Sequence, residues 1–484
     1  MEKPLFTFGV KEFLSGINSS GAHTNLGGVF YKADGVTPLF DAGSAQSVNN
    51  GLLMAGAGGT LVGGTLGGNV LNIIPDGGLF YTGGGLVAAC TDNKIYKIGF
   101  ESGAPTGALG SVFTAAATLT PGLISFLGKL YYRQTSHIGQ LTPPSTNDDT
   151  WQAASTDYFG AMHQYFDTIL FGNGLGKLGM IDSALAVTLT ALDFDTKYNI
   201  SAISDDGIYA VIALTKNTSA DSTVLDGSVI LFWDGAASSW LRSYPISDPL
   251  IYSIKKTPVG VFGFGITGIW QITFDGVKKV FSHSPGIYTA SGASVVHYGQ
   301  AASFFSDALI WGGQSGSSTA RVLKSLGKLD SESPPAYLNP ILGTASQNIT
   351  AVNGQLLKGL VFVADDTPQM KYYPIGSGTP QTTISAQTVY FDAGMKANIK
   401  RIVVIFGEPL ISGDSMSIQL KTDEDATATT AITATYADDG AIRRKSMRVT
   451  GFTADEQFSM IINFTAGAVK IKRIEIYGNP VVTL

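Results

Sequence analysis

Leu130-Tyr131-Tyr132 followed by Ser136-His137-Ile138 reads as a short strand, a tight turn and a second strand, and this unit recurs along most of the chain. Leu86-Val87-Ala88-Ala89 leads in the same way to Lys94–Ile98, Ile169-Leu170-Phe171 to Lys177–Ile181, and Ile208-Tyr209-Ala210-Val211 to Ser228–Trp233. Further copies are Val261–Phe264 with Gly268–Ile272, Leu309-Ile310-Trp311 with Arg321-Val322-Leu323, and Leu360–Val363 with Met370–Tyr373. The first strands begin at 86, 130, 169, 208, 261, 309 and 360, at intervals of 44, 39, 39, 53, 48 and 51 residues. Several short strands in a repeat of about 40–50 residues are the signature of a propeller blade. One four-stranded sheet cannot bury both faces, but sheets packed in a ring can, and closure protects their edges. The expected fold is therefore all-β: an irregular β-propeller of about seven repeats, six or eight also fitting the spacing. A series of separate sandwich domains is the competing arrangement.

The rest of the chain divides around this array. Residues 1–76 read as a leader, with a hairpin from Val29-Phe30-Tyr31 to Pro38-Leu39-Phe40 turning at Asp34-Gly35. An uncharged stretch, Gly51 to Ile74, is long enough to span a membrane but holds eight glycines and lacks basic flanks. Each glycine costs a helix about 1 kcal/mol relative to alanine, so glycine-rich strands and turns are expected, without stable membrane insertion. Residues 77–378 form the propeller, in which Lys216–Gly227 and Ser331–Asn348 read as long surface loops. Pro374–Gln381 reads as a linker. Residues 379–484 then carry seven longer alternating strands: Val389–Phe391, Ile399–Phe406, Met416–Leu420, Ala431–Tyr436, Ser446–Val449, Phe458–Phe464 and Val469–Tyr477. In one of them Phe458, Met460, Ile462 and Phe464 alternate with small or polar residues. That pattern fits a C-terminal β-sandwich or jelly roll.

Composition narrows the function. The chain has 484 residues, net charge −6 and only 14% charged residues, against about 25% in a typical domain. Glutamate occurs eight times and glycine 59 times, a mixture that favours strands and turns. The densest cationic patch is Arg443-Arg444-Lys445 with Arg448, too small to indicate tight nucleic-acid binding. The single cysteine, Cys90, lies in an apolar strand and allows no internal disulfide, which fits folding in a reducing cytoplasm. The N-terminal Met1-Glu2-Lys3-Pro4 lacks the pattern of a secretory signal.

No residue earns a catalytic, cofactor or metal assignment. Gly263-Phe-Gly265-Ile-Thr-Gly268 matches the dinucleotide fingerprint, but a strand rather than a helix follows, so a hairpin turn is expected. Leu-Gly-Lys-Leu at Leu127, Leu175 and Leu326 lacks the spacing of a phosphate loop. His23, His137, His163, His283 and His297 are scattered, with no zinc-type spacing. Asp148-Asp149, Asp193/Asp195, Asp205-Asp206, Asp365-Asp366 and Asp423-Glu424-Asp425 fall mostly where turns are expected; loose calcium binding is the other chemistry they could offer. Arg133, Arg242 and Arg321 are the array's arginines; a propeller sialidase would need three on its substrate, but its S-x-D-x-G-x-T-W box is absent. Asn217, Asn348 and Asn463 are formal glycosylation acceptors that mean little without secretion.

The order of parts carries a resemblance. A short leader, an irregular propeller without catalytic signatures and a terminal sandwich follow one another. The sandwich contains Ile399-Lys-Arg-Ile-Val-Val-Ile-Phe and Gly413-Asp-Ser-Met-Ser-Ile-Gln-Leu-Lys-Thr, and closes on Ile471-Lys-Arg-Ile-Glu-Ile-Tyr-Gly. This resembles structural proteins of tailed-bacteriophage tails, above all the tail nozzle (tail hub) proteins of short-tailed phages. The resemblance implies a non-enzymatic virion protein. Its subunits would form a hexameric ring or tube below the portal and adaptor, through which double-stranded DNA passes during ejection without stable contacts. A receptor- or glycan-binding tail protein is the alternative, and a propeller glycosidase a third class.

Overall fold

The computed structural model describes residues 60–62, 66–81, 84–99, 110–157, 159–216, 227–282, 349–355, 360–365, 369–374, 396–422, 432–454, 457–467 and 469–480, with short segments elsewhere that are mainly strand. The chain forms two compact units. One comprises Thr60–Gly313 and Gln347–Tyr373, the other Met1–Gly59, Gln314–Ser346 and Pro374–Leu484.

The propeller is built from seven four-stranded antiparallel sheets among the described residues. Their first strands are Val70–Pro75, Leu119–Phe126, Met162–Tyr165, Asn199–Asp205, Ile251–Thr257, Ala302–Phe305 and Ile349–Gln355. Each of these touches the first strand of the next sheet, and Ile349–Gln355 returns to Val70–Pro75, so the seven form a cycle and are the innermost strands of seven blades. The recurring hairpin of the sequence supplies the second and third strands: Lys129–Gln134 with His137–Thr142 in the second blade, Thr168–Gly172 with Lys177–Ile181 in the third.

Burial on both faces explains the near-continuous apolar runs. In the fourth blade Ala210, Ile212 and Leu214 pack with Leu170 and Leu178 of the third, while the alternating Val211 and Ala213 pack with Ile254 and Val261 of the fifth. Strand glycines have a packing role here. Tyr132 lies opposite Gly139 and Phe171 opposite Gly179, and a Cβ on either glycine would fall 2.1–2.2 Å from the partner ring. The aromatic ring fills the space a side chain would occupy, which ties second to third strand in these two blades.

The ring closes through a segment that precedes it. Thr60–Leu61 pairs antiparallel with Lys371–Tyr372 as the outermost strand of the seventh blade, and Val62 N donates to Met370 O at 2.9 Å. The other blades take their strands in sequence order.

This closure corrects the expected boundaries. The propeller unit starts at Thr60, not at residue 77, and residues 1–76 are not a separate leader. Leu52–Ala55 pairs with Gln46–Asn49 and with Lys470–Ile471, and Phe6–Phe8 lies opposite Ile474–Ile476, so all three N-terminal strands join a sandwich sheet. The Val29–Phe40 hairpin is corrected as well: Phe30–Tyr31 pairs in parallel with Ile17–Asn18, and Pro38–Phe40 lies outside the described residues. Ser331–Asn348 is not wholly loop, because Ala336–Ile341 is the outermost strand of the sixth sheet. Gln314–Ser346 groups with the second compact unit, although Arg321–Gly327 and Ala336–Ile341 within it are the third and fourth strands of the sixth sheet. Among the described residues no helix is long and apolar enough to cross a membrane.

The second unit holds two sheets around one apolar core. One orders Arg444–Ala454, Ala397–Phe406, Lys470–Pro480, Leu52–Ala55 and Gln46–Asn49; the other orders Ile384–Gln387, Gln457–Ala466, Ser415–Thr422 and Ile432–Thr435. Phe458, Met460, Ile462 and Phe464 all point into that core, as their alternation predicts. Ile399 and Ile402 both face it although three residues apart, because a bulge between Ile399 and Arg401 shifts the alternation by one. The strand expected to reach Tyr436 ends at Thr435, whose hydroxyl accepts from Asp438 N at 3.1 Å and caps one helical turn, Tyr436–Asp439.

The fingerprint-like glycines also have a structural cause. Gly263 lies opposite Trp270 in a hairpin. A Cβ on Gly265 would lie 2.2 Å from the Asp248 carboxylate, and one on Gly268 2.1 Å from Phe281 O. Asp248 is fully buried and accepts five hydrogen bonds, from Leu250 N (3.4 Å), Ile266 N (2.9 Å), Thr267 N (3.1 Å), Thr267 Oγ1 (2.7 Å) and Trp270 Nε1 (3.0 Å). Asp248→Ala would strand several donors, each worth about 1 kcal/mol or more, so urea denaturation should show a loss of about 2–4 kcal/mol. Asp248→Asn, which keeps one acceptor oxygen, should lose less.

Candidate functional site

The innermost strands of the third, fourth and fifth blades enclose a cavity of about 600 Å³. Pro75, at the end of the first blade's innermost strand, and Phe159 and Ala161, ahead of the third's, complete its wall. The size falls in the usual range for small-molecule pockets, about 300–1,000 Å³.

A chain of charges crosses this wall. Asp205, the last residue of its strand, lies 2.8 Å from His163 Nε2 and 2.5 Å from Lys256 Nζ, so one carboxylate ties three successive blades together. An ionised carboxylate only accepts, so the imidazole donates through Nε2. Burial pushes the Asp205 pKa up, but hydrogen bonds from His163 and Lys256, and their charges, prevail and hold it down to about 2. A depressed carboxylate stabilises the fold fully above its unfolded value near 3.9, and that contribution is lost as pH falls towards 2.

Lys255, next along the same innermost strand, also lines the cavity and is half-buried. Loss of hydration pushes its ammonium down to about 8. An unfolded lysine titrates near 10.4, so between about 8 and 10.4 the unfolded chain holds more protons than the folded one. Stability therefore rises with pH across that window, and below it the charged amine opposes folding. Ser204 and Ser253 add hydroxyls to the wall, and Met162, Tyr252 and Ile254 give it apolar patches.

The other sequence candidates are dispersed. Arg133 is fully buried in the second blade, donating to His137 O at 3.1 Å and Ser155 O at 2.5 Å. Arg242 opens an outermost strand and lies over the Phe274 ring at 4.5 Å. Arg321 begins the third strand of the sixth sheet. Asp206 does sit in a turn, accepting from Ile208 N and Tyr209 N at 2.8 and 2.7 Å. That turn delays the fourth blade's second strand to Ala210, two residues beyond the expected start. Asp148 and Asp149 are instead within a strand, where Asp149 accepts from Tyr132. Asp195 pairs with Lys197 at 2.7 Å on the surface. His137 starts a strand, with Nδ1 3.0 Å from Ser136 Oγ. Asn463 is engaged within its sheet by Ser417 and Gln419. His23, His283, His297, Asp366, Asp423–Asp425 and Asn217 lie outside the described residues.

Sequence reasoning missed the His163–Asp205–Lys256 chain because it sought local spacing. The residues stand 42 and 51 positions apart, intervals comparable to the repeat itself. Superposing the repeats would have placed them at neighbouring inner strands.

No protein-family model matches this chain, and no curated protein matches it. Among solved structures, the computationally designed Ika8 protein aligns with 65% of this chain and 100% of its own at 12% identity and a TM-score of 0.41. The WD40 domain of Neurospora crassa Pan2 aligns with 66% of this chain and 97% of its own at 9% identity and a TM-score of 0.44. The propeller assignment itself stands on the seven sheets and their cyclic contacts.

Replacing Lys255 by Met should raise the melting temperature at pH 7 and flatten the gain in stability that the parent shows between pH 8 and 10. Thermal denaturation across that pH range checks both effects.

Proposed function

We propose that this chain is a structural protein of a bacteriophage tail, a nozzle or hub subunit that assembles into a ring or tube conducting DNA. The observation that carries the reading is the architecture: a closed seven-bladed propeller joined to a β-sandwich, the order of parts on which the resemblance to tail nozzles rests. Partners in this reading are further copies of the chain, hexameric by resemblance, with portal, adaptor and neighbouring tail proteins, in the virion. The reading assigns no catalysis.

Surface chemistry supports association. Leu127, Phe166 and Ile208 occupy the turns between first and second strands of the second, third and fourth blades, at 58%, 64% and 66% exposure. Leu127 and Phe166 hold positive φ angles of 47° and 51°, a region bulky side chains seldom adopt. Tyr165 Oη donates to Ile208 O at 2.6 Å, which links two of these turns. Strained, exposed apolar residues repeated in successive blades gain from being covered by a partner. Few charges elsewhere keep the desolvation cost of broad contacts low.

The cavity inside the propeller favours a second reading, a receptor- or glycan-binding tail protein, because it combines hydroxyl-bearing and apolar walls.

Light scattering and electron micrographs of the purified chain decide between these. Closed rings or short tubes with a central channel are expected; a monomer at all concentrations, alone and with the adaptor, would count against the nozzle. Phe166→Ser with Ile208→Ser should shift assemblies towards monomer by about tenfold or more, while leaving the melting temperature of the monomer nearly unchanged, because both side chains are exposed.

A further inference from the structure

Two exposed patches of this chain are complementary in charge. The first surrounds Phe166 and Ile208, the exposed turn residues of the third and fourth blades. Asp167 follows Phe166 and is exposed, Asp206 holds the turn that carries Ile208, and the exposed Asp234 opens the connection to the fourth blade's outermost strand. That connection lies against the same surface. A Cβ on Gly235 would fall 2.7 Å from the Tyr165 ring, and Tyr165 Oη donates to Ile208 O. Burial, and then the charges of Asp234, Asp205 and Asp206, push the Tyr165 phenol up, which groups these carboxylates around it. Lys256 and His163 engage Asp205. Among the described residues no lysine or arginine forms an ion pair with Asp167, Asp206 or Asp234. The apolar patch therefore has an acidic rim.

The second patch lies on the sandwich. Arg444–Ala454 is the edge strand of its sheet. Met447 and Val449 face the core, so Arg444, Ser446 and Arg448 face outward, and all three are exposed. The two arginines stand about 13 Å apart along the strand. Arg448 lies directly opposite Arg401, and Arg444 and Arg473 lie on either side of Ile405. Like charges directly opposite each other destabilise a strand pair, so a countercharge placed on this face would be favourable. Glu475, opposite Val403, is held by Arg473 Nη2 and Tyr477 Oη, both at 2.9 Å. The face is thus cationic, whereas the propeller unit holds the chain's whole net charge of −6 and the second unit is neutral.

We propose that the strip bearing Arg444 and Arg448 in one copy of the chain docks on the acid-rimmed patch of Phe166 and Ile208 in another. Arginine suits both features of that patch, because a planar guanidinium pairs with carboxylates and also lies on an aromatic face such as that of Phe166. Contact between two different patches is heterologous: it repeats from copy to copy and ends only when a ring closes. The inference rests on the self-association proposed above and names the two surfaces that carry it; it does not depend on the assembly being a tail.

Charge reversal in the full chain tests it, read by light scattering at low and high salt. Asp167→Lys is the probe of the rim, because Asp206 and Asp234 accept backbone hydrogen bonds that shape their turns. Arg444→Glu with Arg448→Glu, and separately Asp167→Lys, should each weaken association tenfold or more with little change in melting temperature, and the chain carrying all three should recover most of it. Association of the parent should weaken as salt rises. If the glutamate variant does not fold, Arg444→Gln with Arg448→Gln serves in its place. Assemblies of unchanged mass in both reversals would overturn this interface and leave the assembly itself standing on another surface. Loss without recovery in the combined chain would also overturn it, as would a strip reversal that abolishes retention on heparin but leaves the mass unchanged. A chain monomeric at every concentration, alone and with the adaptor, would remove the assembly and this interface together.

Discussion

A four-stranded sheet with two apolar faces is insoluble alone, and every blade of this protein depends on neighbours on both sides. The fourth blade shows the constraint most directly: Ala210–Leu214 alternates between the third blade and the fifth, with no solvent face left over. Seven such units satisfy one another only in a cycle, so the cycle has to close. It closes on Thr60–Leu61, a strand of two residues drawn from ahead of the first blade. The buried aromatic residues, the glycines beneath their rings and the carboxylate plug at Asp248 follow from that demand. Each lets sheets approach closely without leaving a polar group unpartnered or a void unfilled.

The same geometry explains why the charged cluster is where it is. Innermost strands converge, so residues from three blades meet there that are never close in sequence. In the blade interfaces a lysine would be intolerable; beside the cavity it retains some access to water. Asp205 bridges His163 and Lys256 and thereby fixes the relative position of adjacent inner strands with side chains. Lys255 has a different character, being cationic where hydration is poor.

Sequence pattern captured the elements governed by local rules. The recurring hairpins lie where the apolar runs lie, since a strand buried on both faces must be apolar throughout. In the sandwich, Phe458 to Phe464 could be read from alternation alone. What escaped was set at long range. Leu52–Ala55 and Thr60–Leu61 are too short and too glycine-flanked to carry a period, and only their partners make them strands. Tyr436 was assigned to a strand because the apolar pattern continued through it, whereas the Thr435 cap redirected the backbone. Ile208 and Tyr209 looked like strand and were taken by the Asp206 turn. The cavity was invisible because no window of sequence contains His163, Asp205 and Lys256.

One pairing has a temporal side. Phe6 lies opposite Ile476, so a sheet of the second unit needs two strands that leave the ribosome with all seven blades between them. The blades between them can condense on the ribosome while Phe6–Phe8 and Leu52–Ala55 wait as unpaired edges. Such edges are sticky, and pairings this distant in sequence form slowly. In a crowded cell the interval between the first strand and its partner is a period of exposure, during which a nascent chain could pair with a neighbour of the same kind. The few residues in each waiting strand keep that hazard small. Brevity, which made these strands hard to recognise, also makes them safe to leave open.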